Sequence, residues 1–416
     1  MRFIADLHLH SKYSRATSSR MNLEEMDRVA LQKGVQVLSC ADFTHPKWFK
    51  ELKEKLATKE EGLFVLKGGG SGTRFILTTE ISCIYSKKGK VRKIHLLIFA
   101  PSFEAVEKIN QRLSKIGNLS ADGRPILGLD AKHLLEIVLT AHKDAFVAPA
   151  HIWTPWFALF GSKSGFDKTE DCFEDLTPHI FALETGLSSD PAMNRKLSAL
   201  DKFALISNSD AHSPEKIGRE ANVFETELSY QGIVFALKEN KAKHFPLTIE
   251  FFPEEGKYHF DGHSTCKIVL SPEQTKKNQG LCPVCKKPLV IGVSYRVNAL
   301  SDRKEPFFSK NKPSFKHLIP LREIISEILE TGVASKKVEQ FYQEILQKLG
   351  PELSILMDLP IEEIKKGAGS LTATAIERMR QGQVFIQEGY DGVYGVIRVF
   401  SQEERKNLLE RQPELF

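Results

Sequence analysis

The residues of this chain best suited to chemistry are histidines and carboxylates near the ends of apolar, strand-like runs. His8 and His10 follow one such run, and Asp210 and His212 follow another with the same spacing. Residues i and i+2 of a strand point to the same side, so both members of a pair can reach one ion. His and carboxylate ligands without Cys favour divalent ions such as Zn²⁺ or Mn²⁺ over soft-metal chemistry. The two pairs therefore predict a metal centre.

Further metal-competent residues lie between these pairs, each near a predicted strand: Asp42, His45, Glu80, His95 and His151. A lone His at a strand end is more often a hydrogen-bonded structural residue, but the joint arrangement indicates metal binding. Nine candidate ligands exceed the needs of one ion, so we expect two or three ions, Zn²⁺, Mn²⁺ or Mg²⁺, with Glu80 or Asp210 as the bridge. We predict Asp210, Glu80 and His212 to be the catalytic members.

The elements that must position these residues alternate apolar runs with amphipathic stretches over residues 1–250. Residues 22–34 predict a helix, because Asn22 can cap it, apolar residues recur on one face and Gly34 can end it. Strands are predicted around FIADLHLH, VQVLSCADF, FILTTEISCIY, KIHLLIFA, AFVAPAHIW, IFALETG and FALISNSDAH. Such repeated βα units favour a mostly parallel α/β sheet. Parallel α/β barrels carry their active sites at the C-terminal ends of strands, where most of the candidate ligands stand.

A second set of ligands lies beyond residue 250. Cys282 and Cys285 have the spacing of a zinc knuckle, and His263 and Cys266 precede them as an HxxC pair. Four N and S ligands would form a closed, structural zinc site. His259 is the alternative to His263, which we prefer because its spacing mirrors that of the two cysteines.

The charge distribution points to a polyanionic partner. The net charge of +5 says little, but residues 276–316 hold ten Lys or Arg and only two acids, Asp302 and Glu305. A basic stretch beside a metal knuckle is typical of nucleic-acid binding. The alternative is a solvated loop.

Aromatic and polar residues beside the predicted ligands are candidate DNA contacts. The three tryptophans each stand within five residues of a candidate ligand. Rings on such loops can wedge a duplex or stack on a flipped base. The predicted DNA-binding set is Trp48, Phe49, Trp153, Trp156, Phe157, Ser188, Ser189 and Asn194. The alternative is that the rings pack the loops together and that the polar residues form a turn and a helix cap.

Longer motifs resemble a known family. The segments FIADLHLHSKYSRATS, DFTHPKWF, TEISCIY, SKIGNLSADGRPILGLD, PAHIWTPWFALFGSKSGFD, ALETGLSSDPAMNR, SNSDAHSP, DGHSTC and CPVCKKPL are similar to endonuclease Q. The HxH and DxH pairs also resemble the wider polymerase and histidinol phosphatase (PHP) superfamily. The resemblance spans essentially the whole chain.

The resemblance implies a fold and an activity. It implies a distorted (β/α)7 PHP barrel with a trinuclear metal site, and a DNA repair endonuclease that cuts 5′ to uracil, hypoxanthine, xanthine or an abasic site. Carried over, the first ions would be held by His8, His10, Glu80 and Asp210, and the cluster would be completed by His95, His151 and His212. Phe43 and Thr44 separate Asp42 from His45, whereas the superfamily has Asp followed directly by His. Which of Asp42 and His45 binds metal stays open.

We expect three domains: a PHP metallo-phosphoesterase barrel (1–250), a zinc-binding module (251–305) and a mainly helical C-terminal domain that contacts DNA (306–416), with a hairpin around Asp391 and Gly392. The competing functions are a small-molecule phosphoesterase of the histidinol phosphatase type and a non-catalytic DNA-binding protein. The zinc module and basic stretch are superfluous for a small substrate. No run is apolar enough for an export signal or a membrane span, so we expect a cytoplasmic protein. We also expect the protein to be a monomer.

Overall fold

A mixed α/β architecture surrounds one large sheet in the computed structural model, which describes residues 1–401 and 403–405. Its strands are β1 (Arg2–Asp6), β2 (Val37–Ser39), β3 (Leu56–Glu60), β4 (Leu63–Leu66), β5 (Arg74–Lys87), β6 (Lys90–Ala100), β7 (Ile126–Leu127), β8 (Phe146–Pro149), β9 (Ala182–Glu184), β10 (Ala204–Ile206), β11 (Ala221–Glu225), β12 (Leu247–Glu250), β13 (Asp261–His263), β14 (Ile268–Leu270), β15 (Ser314–His317), β16 (Phe385–Gln387) and β17 (Val396–Arg398).

The α-helices are α1 (Leu23–Lys33), α2 (Pro46–Lys55), α3 (Phe103–Leu113), α4 (Ala131–Ala141), α5 (Thr169–Phe173), α6 (Pro191–Asn194), α7 (Tyr230–Glu239), α8 (Pro272–Lys277), α9 (Val293–Leu300), α10 (Leu321–Ile328), α11 (Lys336–Leu349), α12 (Glu352–Met357) and α13 (Ile361–Arg380). Short 3₁₀ helices lie at Glu174–His179, Ser198–Leu200, Pro214–Lys216, Pro253–Glu255 and Ser264–Cys266. Among the described residues, none of these helices is long and apolar enough to cross a membrane.

The large sheet is not mostly parallel, so that expectation was wrong. β1, β2 and β5 are parallel neighbours, but β1 pairs antiparallel with β11, and β5 pairs antiparallel with β6. The reason lies at Lys88 and Gly89, which both have positive φ (52° and 72°) and join β5 to β6 in a two-residue turn. Such a turn closes a hairpin rather than a βα unit. Pairing runs from Leu77 opposite Ala100 to Lys87 opposite Lys90.

Helix α1 forms as its sequence predicts. The Asn22 side chain accepts a hydrogen bond from the Glu25 amide at 3.0 Å, and Gly34 ends the helix with φ 81°. The Met26 and Ala30 side chains are fully buried in the larger apolar cluster of the core. A second apolar cluster includes alternate residues of β1, such as Phe3 and Ala5, and residues of α7. The sheet is therefore buried on both faces, which fixes the direction of its site-facing side chains.

The region after residue 250 consists of short strands and helices that pack against one another. β13 and β14 form a hairpin, and β16 and β17 form another. The second hairpin turns at Asp391 (φ 41°) and Gly392 (φ 84°), which confirms its predicted position. The carboxylate of Asp391 accepts hydrogen bonds from the Ser264 amide (2.6 Å) and hydroxyl (2.8 Å). The C-terminal hairpin is thereby attached to the cysteine-bearing segment.

Helices dominate residues 321–380 and pack onto α1. The buried Lys33 ammonium lies 2.7 Å from the Glu352 carboxylate, which also accepts hydrogen bonds from the Tyr342 hydroxyl and the Leu321 amide. Of the predicted 306–416 region, residues 402 and 406–416 lie outside the described residues. The closed seven-stranded barrel and the three domain boundaries stay predictions.

Candidate metal centre

One group of metal-competent atoms joins the two HxH and DxH pairs. His8 and His10 follow β1, and Asp210 follows β10. The Oδ1 atom of Asp210 lies 3.0 Å from Nε2 of His10 and 3.6 Å from Nε2 of His8. Both histidines are buried, whereas Asp210 is partly exposed. We call these three residues the first trio; it opens toward solvent through Asp210.

A second group lies beside the first. Glu80 in β5, His95 in β6 and His151 after β8 form it, which we call the second trio. Oε1 of Glu80 lies 2.8 Å from Nδ1 of His95 and 3.0 Å from Nε2 of His151. The β5–β6 hairpin supplies two of these ligands: His95 pairs with Ser82, two residues from Glu80, so Glu80 and His95 are diagonal neighbours on one face of the hairpin.

Glu80 links the two trios. While its Oε1 faces the second trio, its Oε2 lies 3.3 Å from Nε2 of His10 and 3.7 Å from Nε2 of His8. A carboxylate that presents one oxygen to each of two ligand groups is suited to bridge two ions. The geometry therefore favours Glu80 over Asp210 as the bridge.

Two further carboxylates orient the histidines from behind. Nδ1 of His8 lies 3.0 Å from Glu184, and Nδ1 of His10 lies 3.2 Å from Asp42. The second Asp42 oxygen accepts hydrogen bonds from the Ser11 amide (2.6 Å) and the Ser14 hydroxyl (3.0 Å). Carboxylates in this position fix the tautomer and orientation of metal-binding imidazoles. Asp42 thus holds His10 and joins neither trio; its predicted metal ligation stays a prediction.

Arg124, which the sequence analysis did not single out, contacts the bridging carboxylate. Its Nη1 lies 3.0 Å from Oε2 of Glu80, and its side chain is partly exposed. The preceding Gly123 has no room for a side chain, since a Cβ there would lie 2.3 Å from Oδ2 of Asp42 and from Oγ of Ser14. This close contact fixes the loop that brings a guanidinium to the centre.

The backbone is strained where it presents several of these groups. Asp42, His151 and Asp210 have φ values of 38°, 29° and 47°, which L residues rarely adopt. Gly186, with φ 64°, lies against His151, where a Cβ would come within 2.4 Å of the His151 Cβ. Strain of this kind clusters at functional sites, where the surrounding fold compensates for it.

The carboxylates and imidazoles of this centre shift one another's pKa values. Burial alone would raise the pKa of Asp210, but His8 and His10 outweigh it and lower that pKa far below its usual value. Burial lowers the pKa of His95 to about 4, so its ring is neutral near pH 7. Burial would likewise lower the pKa of His8 and His10, but the carboxylates outweigh it and raise that pKa well above its usual value, so a bound cation would displace the protons of these two rings.

The orphaned atoms at this position test whether divalent ions fit. Nε2 of His8, Nε2 of His10 and Oδ1 of Asp210 are buried and make no hydrogen bond among the described residues. Oδ1 of Asp210 lies 3.0 Å from Nε2 of His10 and 3.6 Å from Nε2 of His8. Buried polar atoms that point at a common position without partners each carry a free-energy cost. An ion bound between them removes that cost, so the residues fit the predicted metals.

His45 and His212 lie beside the trios rather than in them. The His45 ring stacks on Tyr13 with centroids 4.4 Å apart, and its buried Nδ1 makes no hydrogen bond within residues 1–401 and 403–405. The His212 ring lies 4.4 Å from the His10 ring, and its Nδ1 lies 2.9 Å from the Asp210 carbonyl oxygen. Ligation by His45 and catalysis by His212 stay predictions.

Several predicted DNA contacts are buried in the protein instead. Trp48 is fully buried and donates to the carbonyls of Cys40 (2.9 Å) and Ala41 (3.0 Å). Trp153 is buried and donates to Oδ1 of Asn194 at 2.8 Å. The buried Ser189 hydroxyl accepts a hydrogen bond from the Asn194 amide group in turn. The packing alternative accounts for these residues in this structure.

Other members of the predicted DNA-binding set reach the surface. Trp156 is 40% exposed, and Phe157 lies partly exposed with its ring 4.7 Å from the His95 ring. Phe49 is partly buried against Phe103, and Ser188 is partly exposed. These four side chains are therefore at least partly accessible from solvent.

The cysteine cluster assembles with the predicted histidine. His263, Cys266, Cys282 and Cys285 place one ligand atom each within 4.8 Å of all the others. Nδ1 of His263 lies 3.6 Å from Sγ of Cys285. His259, the alternative, is buried outside this group. One nitrogen and three sulfur ligands with no carboxylate suit a closed, tetrahedral zinc site.

The basic residues of the 276–316 stretch fall into two groups, those bound within the protein and those exposed to solvent. Arg296 and Arg303 are bound within the protein: Arg296 donates to the Phe160 carbonyl at 2.9 Å, and Arg303 pairs with Asp201. The exposed lysines of the stretch are Lys276, Lys277, Lys286, Lys287, Lys304, Lys310 and Lys316. Only the exposed members are available to a polyanion.

Comparison with solved structures identifies the family. The lesion-specific endonuclease Q of Pyrococcus furiosus is 31% identical to this chain, with a TM-score of 0.85, over 98% of this chain and 99% of that one. This chain belongs to the endonuclease Q family. A second endonuclease Q structure, a complex with a 27-mer duplex substrate with an abasic lesion at the active site, matches at 32% identity, a TM-score of 0.85 and 98% coverage of both chains.

Other relatives of this endonuclease Q family member are uncharacterized. The YqxK protein of Bacillus subtilis is 27% identical over 95% of this chain and 98% of its own length. The MJ0043 protein of Methanocaldococcus jannaschii is 34% identical over 253 residues, and the match spans only 31% of that longer protein. A family model described as the MJ0043 C-terminal domain matches residues 320–383, which hold α10–α13.

Proposed function

We propose that this protein is a metal-dependent DNA repair endonuclease that hydrolyses the phosphodiester 5′ to deaminated bases and abasic sites. The observation that carries the proposal is the pair of buried ligand trios joined by Glu80. Membership of the endonuclease Q family supports the DNA substrate, since one relative has been solved with a duplex that carries an abasic lesion.

In this proposal the first trio, His8, His10 and Asp210, holds one divalent ion, and the second trio holds another. When bound, such ions supply hydroxide from water at neutral pH and neutralise charge on the phosphate and the departing oxygen. Glu80 belongs to both sites. Zn²⁺, Mn²⁺ or Mg²⁺ fits the His and carboxylate donors, and His212 and His45 are the nearest candidates to complete a third site.

The remaining residues around the trios orient ligands and substrate. Glu184 and Asp42 keep the ring nitrogens of His8 and His10 directed into the site. Arg124 supplies a partly exposed positive charge at the centre, where it can attract the scissile phosphate. We infer that Asp210, the most exposed member of the first trio, marks the side from which the phosphate enters.

The substrate range follows from the family resemblance. Uracil, hypoxanthine and xanthine are the deaminated bases, and hydrolysis on their 5′ side releases the 3′-oxygen of the preceding nucleotide. The proposed organisation is a PHP barrel over residues 1–250, a zinc module over 251–305 that aids DNA contact, and a C-terminal DNA-contact domain. We propose that the protein acts as a monomer.

An incision assay tests this proposal. Labelled duplexes that carry one uracil, hypoxanthine or abasic site are incubated with the protein and Mg²⁺ or Mn²⁺, and the ends of the products are mapped. We expect a cut 5′ to the lesion and none in an undamaged duplex. Intact duplexes together with hydrolysis of a small phosphate ester would contradict the proposal and favour a histidinol phosphatase-like enzyme.

A further inference from the structure

A line of aromatic side chains leads from the metal centre across the surface. It begins at Phe157, whose ring lies 4.7 Å from the ring of the second-trio ligand His95. The next residue, Trp156, is 40% exposed, and its ring lies edge-on to Tyr258 with centroids 5.6 Å apart. The line therefore passes from the loop after β8 to the segment that precedes the zinc cluster.

The line continues onto the C-terminal hairpin. The backbone of Gly392 is close to the Tyr258 hydroxyl, since a Cβ at Gly392 would lie 4.0 Å from it. Tyr394, two residues further, is 65% exposed, and Nζ of Lys257 lies 4.5 Å from the centre of its ring. We call Phe157, Trp156, Tyr258 and Tyr394 the aromatic ridge.

Main-chain contacts hold this hairpin firmly in place. The amides of Gly389, Gly392 and Gly395 donate to the carbonyls of Glu254 (2.7 Å), Lys257 (3.0 Å) and Glu255 (3.0 Å). A Cβ at Gly395 would lie 2.2 Å from the Glu254 carbonyl oxygen, so the two backbones are in direct contact. Because backbone groups attach the hairpin, the exposed ring of Tyr394 adds little to folding.

Lysines accompany the rings at both ends of the ridge. Nζ of Lys93 lies 5.5 Å from the centre of the Phe157 ring, and Lys257 covers Tyr394. Aromatic faces interleaved with positive charge are the arrangement by which proteins bind unpaired nucleic-acid strands: the bases stack on rings while cations follow the phosphates. Because Phe157 lies against the proposed ligand His95, this row of side chains adjoins the proposed metal centre.

We propose that the aromatic ridge binds unpaired bases of the DNA strand beside the lesion, with Tyr394 and Trp156 as stacking platforms and Lys257 and Lys93 on the phosphates. This inference rests on the proposed function and extends it. Enzymes that must reach a base inside a duplex take that nucleotide out of the stack, which opens the duplex locally. The ridge would hold the opened strand along the path that leads away from the metal centre.

Equilibrium binding tests the ridge without catalysis. Labelled single-stranded DNA, a duplex with one abasic site and an intact duplex are titrated with protein in chelator, with fluorescence anisotropy as the readout. Tyr394→Ala should weaken binding to the single strand and to the lesion duplex by at least about five-fold. A five-fold loss is the lower end of the range expected when one base loses its stacking partner. Tyr394→Phe should bind like the wild type. Lys257→Ala should reduce the slope of log affinity against log salt concentration by about 0.7, the value for one phosphate contact on a single strand.

The matched control is Phe235→Ala, which removes an exposed ring on α7 that is not part of the ridge. It should change none of the three affinities. Unchanged binding by Tyr394→Ala to all three DNAs would overturn the inference, and so would an equal loss on the intact duplex. If wild-type protein neither binds nor cuts lesion DNA, the proposed function itself fails, which is a distinguishable result.

Discussion

Two ligand clusters in this chain are built on opposite plans. The residues of the two trios come from positions as far apart as His8 and Asp210, and only the folded sheet brings them together. The four residues of the cysteine cluster lie between His263 and Cys285, within one short segment. The first centre can assemble only in the folded protein, whereas we expect the second to stabilise the short segment that carries it.

The two clusters also differ in their ligand atoms. The trios combine His with carboxylates and have two partly exposed members, Asp210 and His151. Several of their buried ligand atoms make no hydrogen bond among the described residues. Such a centre keeps positions open for water and substrate. The cysteine cluster offers one His and three Cys, which fill a tetrahedral shell. Both clusters suit a metal, but only the trios suit a reaction.

The largest expected effect separates the two clusters by activity. Asp210→Asn should lower incision by at least about 10²-fold, because loss of a ligand charge at the first trio removes several kcal/mol of transition-state stabilisation. The temperature of thermal unfolding and the zinc held by the cysteine cluster should stay close to the wild type. The measurement is single-turnover incision of a lesion duplex, with Asp171→Asn, a change at a surface ion pair with Lys88, as the matched control. Wild-type incision by Asp210→Asn would sink the assignment.

Removal of a supporting carboxylate should have an intermediate effect. Glu184→Gln should weaken metal binding by about 10- to 100-fold, since a hydrogen-bonded partner of a metal-bound imidazole contributes on that scale. Glu184 also accepts from the His151 amide at 2.8 Å, so it supports both trios. Incision measured against Mn²⁺ concentration should recover with excess metal in this variant but not in Asp210→Asn. An unchanged metal titration would show that Glu184 does not act through the ions.

The cysteine cluster should respond to substitution in structure and binding more than in chemistry. Cys282→Ser should release the zinc and unfold roughly residues 255–300, because a short segment without a core of its own depends on the metal. DNA affinity should fall on the order of ten-fold, with a shallower dependence on salt, as exposed lysines leave their fixed positions. Incision at saturating enzyme should partly survive.

Metal content per chain and DNA binding at several salt concentrations check the zinc prediction. Cys172→Ser is the control, because Cys172 is a buried cysteine outside the cluster; it should keep the full zinc count. A Cys282→Ser variant with unchanged zinc or an unchanged salt slope would show that this cluster is not a structural zinc site.

The smallest effect on incision should come from Trp156, and the two tryptophans near His151 should differ in what they support. Trp153→Ala should destabilise the protein by about 3–5 kcal/mol, since it removes a buried indole. Trp156→Ala should leave stability nearly unchanged and weaken activity on a lesion in a duplex by a few-fold more than on the same lesion in a single strand, because extraction from the duplex needs stacking. Thermal unfolding and paired incision assays measure both. Equal losses on both substrates would assign Trp156 to packing.

The residues of both clusters were among those singled out from the sequence, together with Asp42, His45 and His212, which lie outside the clusters. Whether any of them binds metal stays a prediction. The clearest signals were local. The i, i+2 spacing of His8 and His10 and the HxxC and CxxC spacings fix which side chains can share an ion. The sequence did not reveal Arg124 or the bridging geometry of Glu80, since both depend on how β5, β6 and the 117–125 loop meet. Nearness in sequence likewise failed to distinguish buried Trp153 from exposed Trp156.

The overall fold was predicted less well, for a similar reason. The alternation of apolar runs located strands and helices, and Asn22 and Gly34 marked the ends of α1 correctly. Strand direction depends on the connections, and the two-residue turn at Lys88 and Gly89 was not recognised as a hairpin. That turn is what places Glu80 and His95 on one face of neighbouring strands.

Graded removal of metal tests the central claim most directly. Protein is equilibrated with increasing chelator, and metal content per chain and incision of an abasic-site duplex are measured on each sample. We expect incision to fall in step with loss of the ions held by the trios, while one zinc per chain remains, and to return when Mn²⁺ or Mg²⁺ is added. Full incision by protein that retains only the single zinc would contradict the account.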